Sequence, residues 1–257
     1  MINGKPISVI LLGFFLLTTI FFHCNVFAES FESVAAYENE KDFGSDFEDE
    51  FENFTVEQIF DPLSCYNRFM TQANDKFYLF LLKPLAKGYS WIVPESGRLA
   101  VNRFFNNVLF PVRLVNNFLQ FKFKRSGIEI ARFGINSTIG ILGFTDPAKK
   151  WLKLDAYPED FGQTLGHYGV KSYFHIVLPL LGPSNVRDVI GMAPDYFLNP
   201  VHYLECQEAI YGIRSFDKMN YTSLHIDDYE SLKKDAVDLY ILLRDIYEQN
   251  RKAKIKE

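Results

Sequence analysis

From residue 61 onward, apolar side chains recur at helical spacing. Leu63, Tyr66, Met70, Phe77 and Leu81 share one face, so the spacing predicts a helix over residues 63–82, with Asp61 as N-cap and Pro62 in the first turn. Lys83-Pro84 is expected to end or kink it, and a short helix begins over 84–89. Residues 94–107 are amphipathic again, and Pro111 opens a helix through Leu119 after a loop over 106–110. Ile128, Ile130, Ala131, Phe133, Ile135 and Ile139 predict a helix over 126–139. The glycine-spaced run 140–144 has no polar side chain and reads first as core packing, secondarily as an edge touching lipid. Asp146-Pro147 caps a short helix through Trp151, and the β-branched and aromatic run 173–180 is the one plausible strand. Ser184 is expected to N-cap a short helix, followed by helices over 201–216 and 227–251. The fold class is mainly α: several amphipathic helices, with at most a short strand or hairpin.

Between these elements lies a stretch dense in backbone-shaping residues. Phe161, Gly162, Gln163 and Gly166 precede the strand, and Pro179, Gly182 and Pro183 close it. Glycine permits positive φ and proline locks φ, so the stretch specifies a chain path rather than a reaction. Arg187-Asp188 just beyond is expected to brace it as an internal ion pair.

The N-terminus changes the picture. Lys5 precedes an apolar run over residues 7–22, and Val26-Phe27-Ala28 places small residues where a signal peptidase reads, so residues 1–28 are expected to be a secretory signal. Residues 29–58 hold eleven acidic residues and one lysine among single aromatics, an acidic leader expected to be disordered. The net charge of −5 therefore hides a mildly basic body over residues 59–257. For an exported chain, that excess meets anionic lipid head groups and not nucleic acid. Bulky Phe21-Phe22-His23 before Cys24 argue against acylation there, and Cys65 and Cys206 are then candidates for a disulfide in an oxidising compartment.

Candidate chemistry is sparse. No G-x-S-x-G, G-x-G-x-x-G or P-loop occurs, and the five histidines show no H-x-x-x-H pairing, so neither a hydrolase, a nucleotide cofactor nor a metal site is supported. Phe121-Lys122-Phe123-Lys124-Arg125 alternates ring and cation. It admits a strand, a nucleic-acid patch, an amphipathic collar at a bilayer interface, or a basic turn with its phenylalanines in the core; export disfavours the nucleic-acid reading and the flanking helices disfavour the strand.

The order of several motifs resembles the MlaA (VacJ) lipoproteins. They are Asp61-Pro62-Leu63, Asn67-Arg68, Asn74-Asp75, Pro84-Leu85-Ala86-Lys87-Gly88-Tyr89, Asn116-Asn117-Phe118-Leu119-Gln120, Asn136-Ser137-Thr138-Ile139-Gly140, Asp160 to Gly166, and Leu178 to Ser184 with Arg187-Asp188. The resemblance covers roughly residues 61–251. It implies a flat ring-like, membrane-embedded protein on the periplasmic side of the outer membrane. Such a protein passes mislocalised phospholipid through an amphipathic channel to a periplasmic lipid carrier, beside a trimeric porin and without a covalent step. It gives weight to Asn74, Asp75, Asn116, Asn117, Arg132 and Asn136 as channel or head-group contacts, each with a structural role as the equal alternative. A non-conducting adaptor in a porin or envelope complex is the rival reading. Two departures stand out: no small residues precede Cys24, and Leu239 stands where the family's terminal motif often has proline.

Overall fold

The computed structural model describes residues 61–257. The signal peptide, the acidic leader and Cys24 lie outside the described residues. Among those described, the chain is mainly helical with one two-stranded hairpin.

Helix α1 (Ser64–Phe77) does not end at Pro84. It passes through a π-helical turn, Tyr78–Leu82, directly into α2 (Lys83–Ile92). Proline has no N–H to give and its ring collides with the carbonyl four residues back. The wider turn, in which Lys83 N–H reaches the Tyr78 carbonyl, absorbs both problems without breaking the rod. Helix α3 (Glu95–Val108), α4 (Phe110–Leu119) and α5 (Phe123–Thr138) follow, with Pro111 in the first turn of α4 as its sequence requires.

After α5 the run 140–144 turns sharply through Ile141, Leu142 and Gly143, all at positive φ. A Cβ on Gly143 would sit 2.5 Å from Asn107 Cβ, so only glycine lets the turn close on α3. Ile141 and Leu142 are exposed, which corrects the core-packing expectation: the turn presents its apolar side chains outward.

Asp146 caps α6 (Pro147–Leu152) through the Lys149 N–H, and Asp160 caps α7 (Phe161–His167) through that of Gln163. Strands β1 (His175–Leu178) and β2 (Gly182–Asn185) pair antiparallel, His175 opposite Asn185 and Leu178 opposite Gly182. Ser184 lies in β2 and does not cap α8 (Val186–Leu198). Asn185, in extended conformation, does so by accepting from Asp188 N–H at 2.9 Å.

The C-terminal third departs furthest from expectation. A 3₁₀ turn, Pro200–Tyr203, precedes α9 (Gln207–Leu224), which runs eight residues past its expected end at 216. Asn220, Thr222 and Ser223, polar residues that read as a connection, are buried, and Asn220 bonds Tyr89 Oη on α2 and the Arg98 carbonyl on α3. The terminal helix is two: α10 (Ile226–Asp235) and α11 (Leu239–Lys256). Asp238 accepts from the Tyr240 and Ile241 N–H groups and so starts a new helix.

Packing is dominated by α7 on α8, α4 on α5, and α9 on both α2 and α3. The α7–α8 contact is backbone to backbone, since a Cβ on Gly191 would lie 2.5 Å from Gly162 N. Cys206 is exposed and free, with its Sγ 3.1 Å from Glu208 Oε2. The expected Cys65–Cys206 bridge is therefore not formed: α9 packs on α2 and α3, whereas α1 packs on the hairpin and α11.

Candidate functional site

The distribution of side chains is inverted relative to a water-soluble domain. Among the described residues, six apolar side chains are buried against twenty-three polar or charged ones, and thirty-five large apolar side chains are exposed. Burial of polar groups is tolerated only when they are bonded. Here most are, many of them in three connected groups, while a few atoms such as His175 Nε2 have no partner among the described residues.

In the first, α4, α5, α6 and α7 are tied together by side-chain amides. Asn116 donates to Asp195 Oδ1 and the Val112 carbonyl, both at 2.9 Å, and accepts from Thr164 Oγ1 at 2.9 Å. Asn117 donates to the Arg113 and Tyr157 carbonyls. Arg132 and Asn136 both hold Asp146 at 3.0 Å, and Asn136 also accepts from Ala148 N–H. Glu129, fully buried, takes Arg113 Nε at 2.8 Å and Tyr157 N–H at 2.7 Å. Burial raises the pKa of Asp195 despite the bonds from Phe161 N–H and Asn116.

In the second, Arg251 on α11 reaches Asp160 at the start of α7, 2.6 and 2.8 Å, and Asp188 in α8 at 2.8 Å. Arg187 Nε and Tyr247 Oη also bond Asp188, at 2.9 and 2.6 Å. Burial pushes the pKa of both aspartates up, but the bonds and charge from Arg251 outweigh it and hold them below the usual carboxylate value. In the third, Asn67 on α1 bonds Asp61, Tyr240 and the backbone of β1 at the His175 carbonyl and the Val177 N–H, uniting α1, the hairpin and α11.

Thus Asn116, Asn117, Arg132 and Asn136 are gathered in one region, yet most of their polar groups are spent on the scaffold, Asn117 Oδ1 and Arg132 Nε being the atoms without a partner among the described residues. Asn74 and Asp75 lie elsewhere. Asn74 holds the hairpin tip, donating to the Leu178 carbonyl at 2.9 Å and accepting from Leu180 N–H at 2.8 Å. Asp75 accepts from Tyr229 Oη at 3.0 Å and Lys233 Nζ at 2.7 Å, latching α10 to α1. Phe121 to Arg125 form the α4–α5 turn and the start of α5, not a strand. Phe121 and Phe123 point outward, while Lys122 and Arg125 turn back to Glu159 at 2.8 and 3.4 Å, leaving Lys124 exposed. This rules out the reading with phenylalanines in the core.

Beside Asn74 a cleft of about 220 Å³ opens between α1, the π turn, the hairpin tip, α9 and α10. Phe77, Leu82, Val177, Leu180 and Leu181 form apolar walls. Lys218, Tyr221, His225 and Tyr229 bring polar tips to the same space. Sequence reasoning missed Tyr229 because it stood inside the helix expected over 227–251, and Lys218, Tyr221 and His225 because residues 217–226 read as a connection. Their signal was the i, i+3, i+7 spacing of Lys218, Tyr221 and His225, which places them on one face once α9 extends to Leu224. The cleft is amphipathic, as a site for a molecule with a polar head and apolar tails must be.

On the exterior, Phe80, Leu81, Leu85, Trp91 and Ile92 form an exposed apolar group along the π turn and α2, with Trp91 90% exposed. No helix among the described residues is long and apolar enough to cross a membrane. No group of three or more His, Cys, Asp or Glu among them is placed to hold a metal ion.

The family model described as MlaA lipoprotein matches residues 59–254. A Rickettsia conorii protein without an assigned function is 34% identical over 208 residues, covering 80% of this chain and 81% of that one. The Haemophilus influenzae "Intermembrane phospholipid transport system lipoprotein MlaA" is 30% identical over 77% of this chain and 80% of its own, and the Escherichia coli protein of the same name 30% over 74% and 76%. A solved structure described as "Structural basis for maintenance of bacterial outer membrane lipid asymmetry" superposes with a TM-score of 0.68 at 29% identity, covering 76% of this chain and 99% of that one.

Proposed function

The chain belongs to the MlaA lipoprotein family, and from that premise we propose that it transports phospholipid between the membranes of the bacterial envelope. In this reading it lies on the periplasmic side of the outer membrane as a flat ring of helices. It withdraws mislocalised phospholipid from the outer leaflet through the amphipathic cleft and hands it to a periplasmic lipid carrier, beside a trimeric porin. The observation that carries the reading is the inverted side-chain distribution, with a polar, bonded interior inside an exposed apolar surface. Apolar patches of that extent belong against lipid or a partner. With no helix among the described residues able to span, residence within one leaflet is the arrangement that covers them.

The cleft favours transport over the adaptor, since a purely organising protein has no use for an apolar-walled space with a cation, Lys218, at its rim. No bond need be made or broken; the protein offers a path, and its partners supply direction. The family is named for a lipid anchor, but the residues before Cys24 are bulky. The exposed side chains of α2, α4 and α5 therefore suffice in this reading to hold the body at the membrane.

Deleting the gene tests the reading. Surface-accessible phospholipid in the outer leaflet is expected to rise and to return to normal on complementation. Unchanged lipid asymmetry would defeat transport and leave the adaptor.

A further inference from the structure

The polar rim of the cleft is unequal in charge. Lys233 is paired with Asp75 at 2.7 Å and Lys83 with Glu230 at 2.5 Å, so both cations of that side are neutralised. Lys218 has no carboxylate within ion-pair distance among the described residues. Its Nζ lies 6.0 Å from the centroid of the Tyr221 ring, and His225 stacks on that same ring at 4.1 Å and 16°. The His225 Nδ1 is 2.9 Å from the Tyr221 carbonyl, which can only accept, so Nδ1 carries a proton. Nε2 has no hydrogen-bond partner among the described residues and is left for a ligand. Asp217, half-buried, precedes Lys218 in the chain and feels its charge, but the two form no direct ion pair, so the ammonium keeps its hydrogen-bonding capacity.

These groups ask for a particular ligand. A phosphate diester, which only accepts, gains from the Lys218 ammonium, whereas the His225 Nε2 acceptor suits a hydroxyl donor. An ethanolamine or choline head group also brings a cation, which needs an acceptor. The carboxylate that lies against this cleft, Asp75, is already taken by Tyr229 and Lys233. A glycerol head group brings hydroxyls instead, which need no counter-charge. Phe77, Leu82, Leu180 and Leu181 meanwhile offer apolar contact to the first acyl carbons.

We infer that the cleft is selective for anionic glycerophospholipids, with Lys218 receiving the head-group phosphate and His225 Nε2 accepting from a glycerol hydroxyl. The inference rests on the phospholipid-transport reading and adds the class of lipid and the residues that choose it. Lys218 acts here as a specificity-determining residue.

The test uses the full chain purified in neutral detergent, with fluorescent short-chain phosphatidylglycerol and phosphatidylethanolamine as probes. The wild type is expected to prefer phosphatidylglycerol by about tenfold, the worth of one charge-assisted hydrogen bond, and to lose that preference as salt is raised. Lys218→Gln should bring the ratio of affinities near one, and Lys218→Arg, which keeps the charge, should retain it. Equal affinities in the wild type, or a preference that survives in Lys218→Gln, would overturn the inference while leaving phospholipid transport standing. Binding of neither probe would overturn the transport reading itself.

Discussion

Replacing Arg251 with methionine is expected to destabilise the fold by about 3–5 kcal/mol, the usual result of removing one partner from a buried ion network. Arg251 is buried, and a single guanidinium satisfies Asp160 and Asp188, which belong to different helices. Methionine keeps the aliphatic volume and removes the charge, so Asp160 loses its cation and Asp188 is left with Arg187 as its cation. Asp188 is 5% exposed and Asp160 37%, so most of the loss falls on Asp188, which water cannot reach. The pH dependence follows. In the wild type both pKa values are held below the usual carboxylate value once the protein folds. The stability they supply is therefore complete above pH ~4 and disappears as pH falls through the lowered values. In Arg251→Met that component is absent and acid relieves the unpaired charges, so the gap between the two proteins should narrow below pH ~4. Denaturant unfolding of both at pH 7 and pH 3.5 checks it. A variant within 1 kcal/mol of the wild type at pH 7 would show that α11 is not clamped through Arg251.

Asn116→Leu should destabilise by about 2–4 kcal/mol, because a near-isosteric side chain takes one bond each from Thr164 Oγ1, Asp195 Oδ1 and the Val112 carbonyl in a buried site. Asp195, already pushed up by burial, loses one of the bonds that oppose the shift and becomes easier to protonate. The resemblance alone made Asn116 a channel contact, whose substitution would impair transport in a stably folded protein. Its geometry makes it a junction of α4, α7 and α8. Thermal unfolding together with the lipid probe separates the two: a stable Asn116→Leu protein that no longer handles lipid would restore the channel role.

How far the fold was legible depended on which residues carried it. Pro94, Pro111 and Pro147 each precede or open a helix within a residue of its expected start, because the constraint is local and backbone-borne. Asp146 caps its helix as expected for the same reason, whereas the helix that Asp160 caps lay in a stretch read only as a chain path. What failed was every inference from polarity to exposure. Asn220, Thr222 and Ser223 were set aside as a connection and are buried in α9; Ile141 and Leu142 were assigned to the core and are outside. The rule that apolar residues go inward presumes water around the protein, and in the proposed function this surface faces lipid instead. The apolar stripe of residues 227–251 also ran through the break at Asp238 without a sign of it, since a cap competes with helix continuation on equal sequence terms. The candidate site suffered similarly. Asparagine positions were visible, but whether an amide faces a lipid path or a neighbouring carbonyl is decided by tertiary contacts that no spacing encodes. The cleft joins the hairpin tip at Leu180 to α9 at Lys218 and Tyr221, residues about forty apart in sequence.

The account stands on the apolar exterior lying in lipid, and the chain carries two natural reporters of it. Its two tryptophans, Trp91 on α2 and Trp151 on α6, are 90% and 66% exposed. In nanodiscs whose lipids carry bromine on the acyl chains, both are predicted to emit at short wavelength and to be quenched by the bromine, while aqueous iodide leaves them bright. Long-wavelength emission quenched by iodide and untouched by brominated lipid would contradict the account, because the side chains that define the inverted surface would then face water.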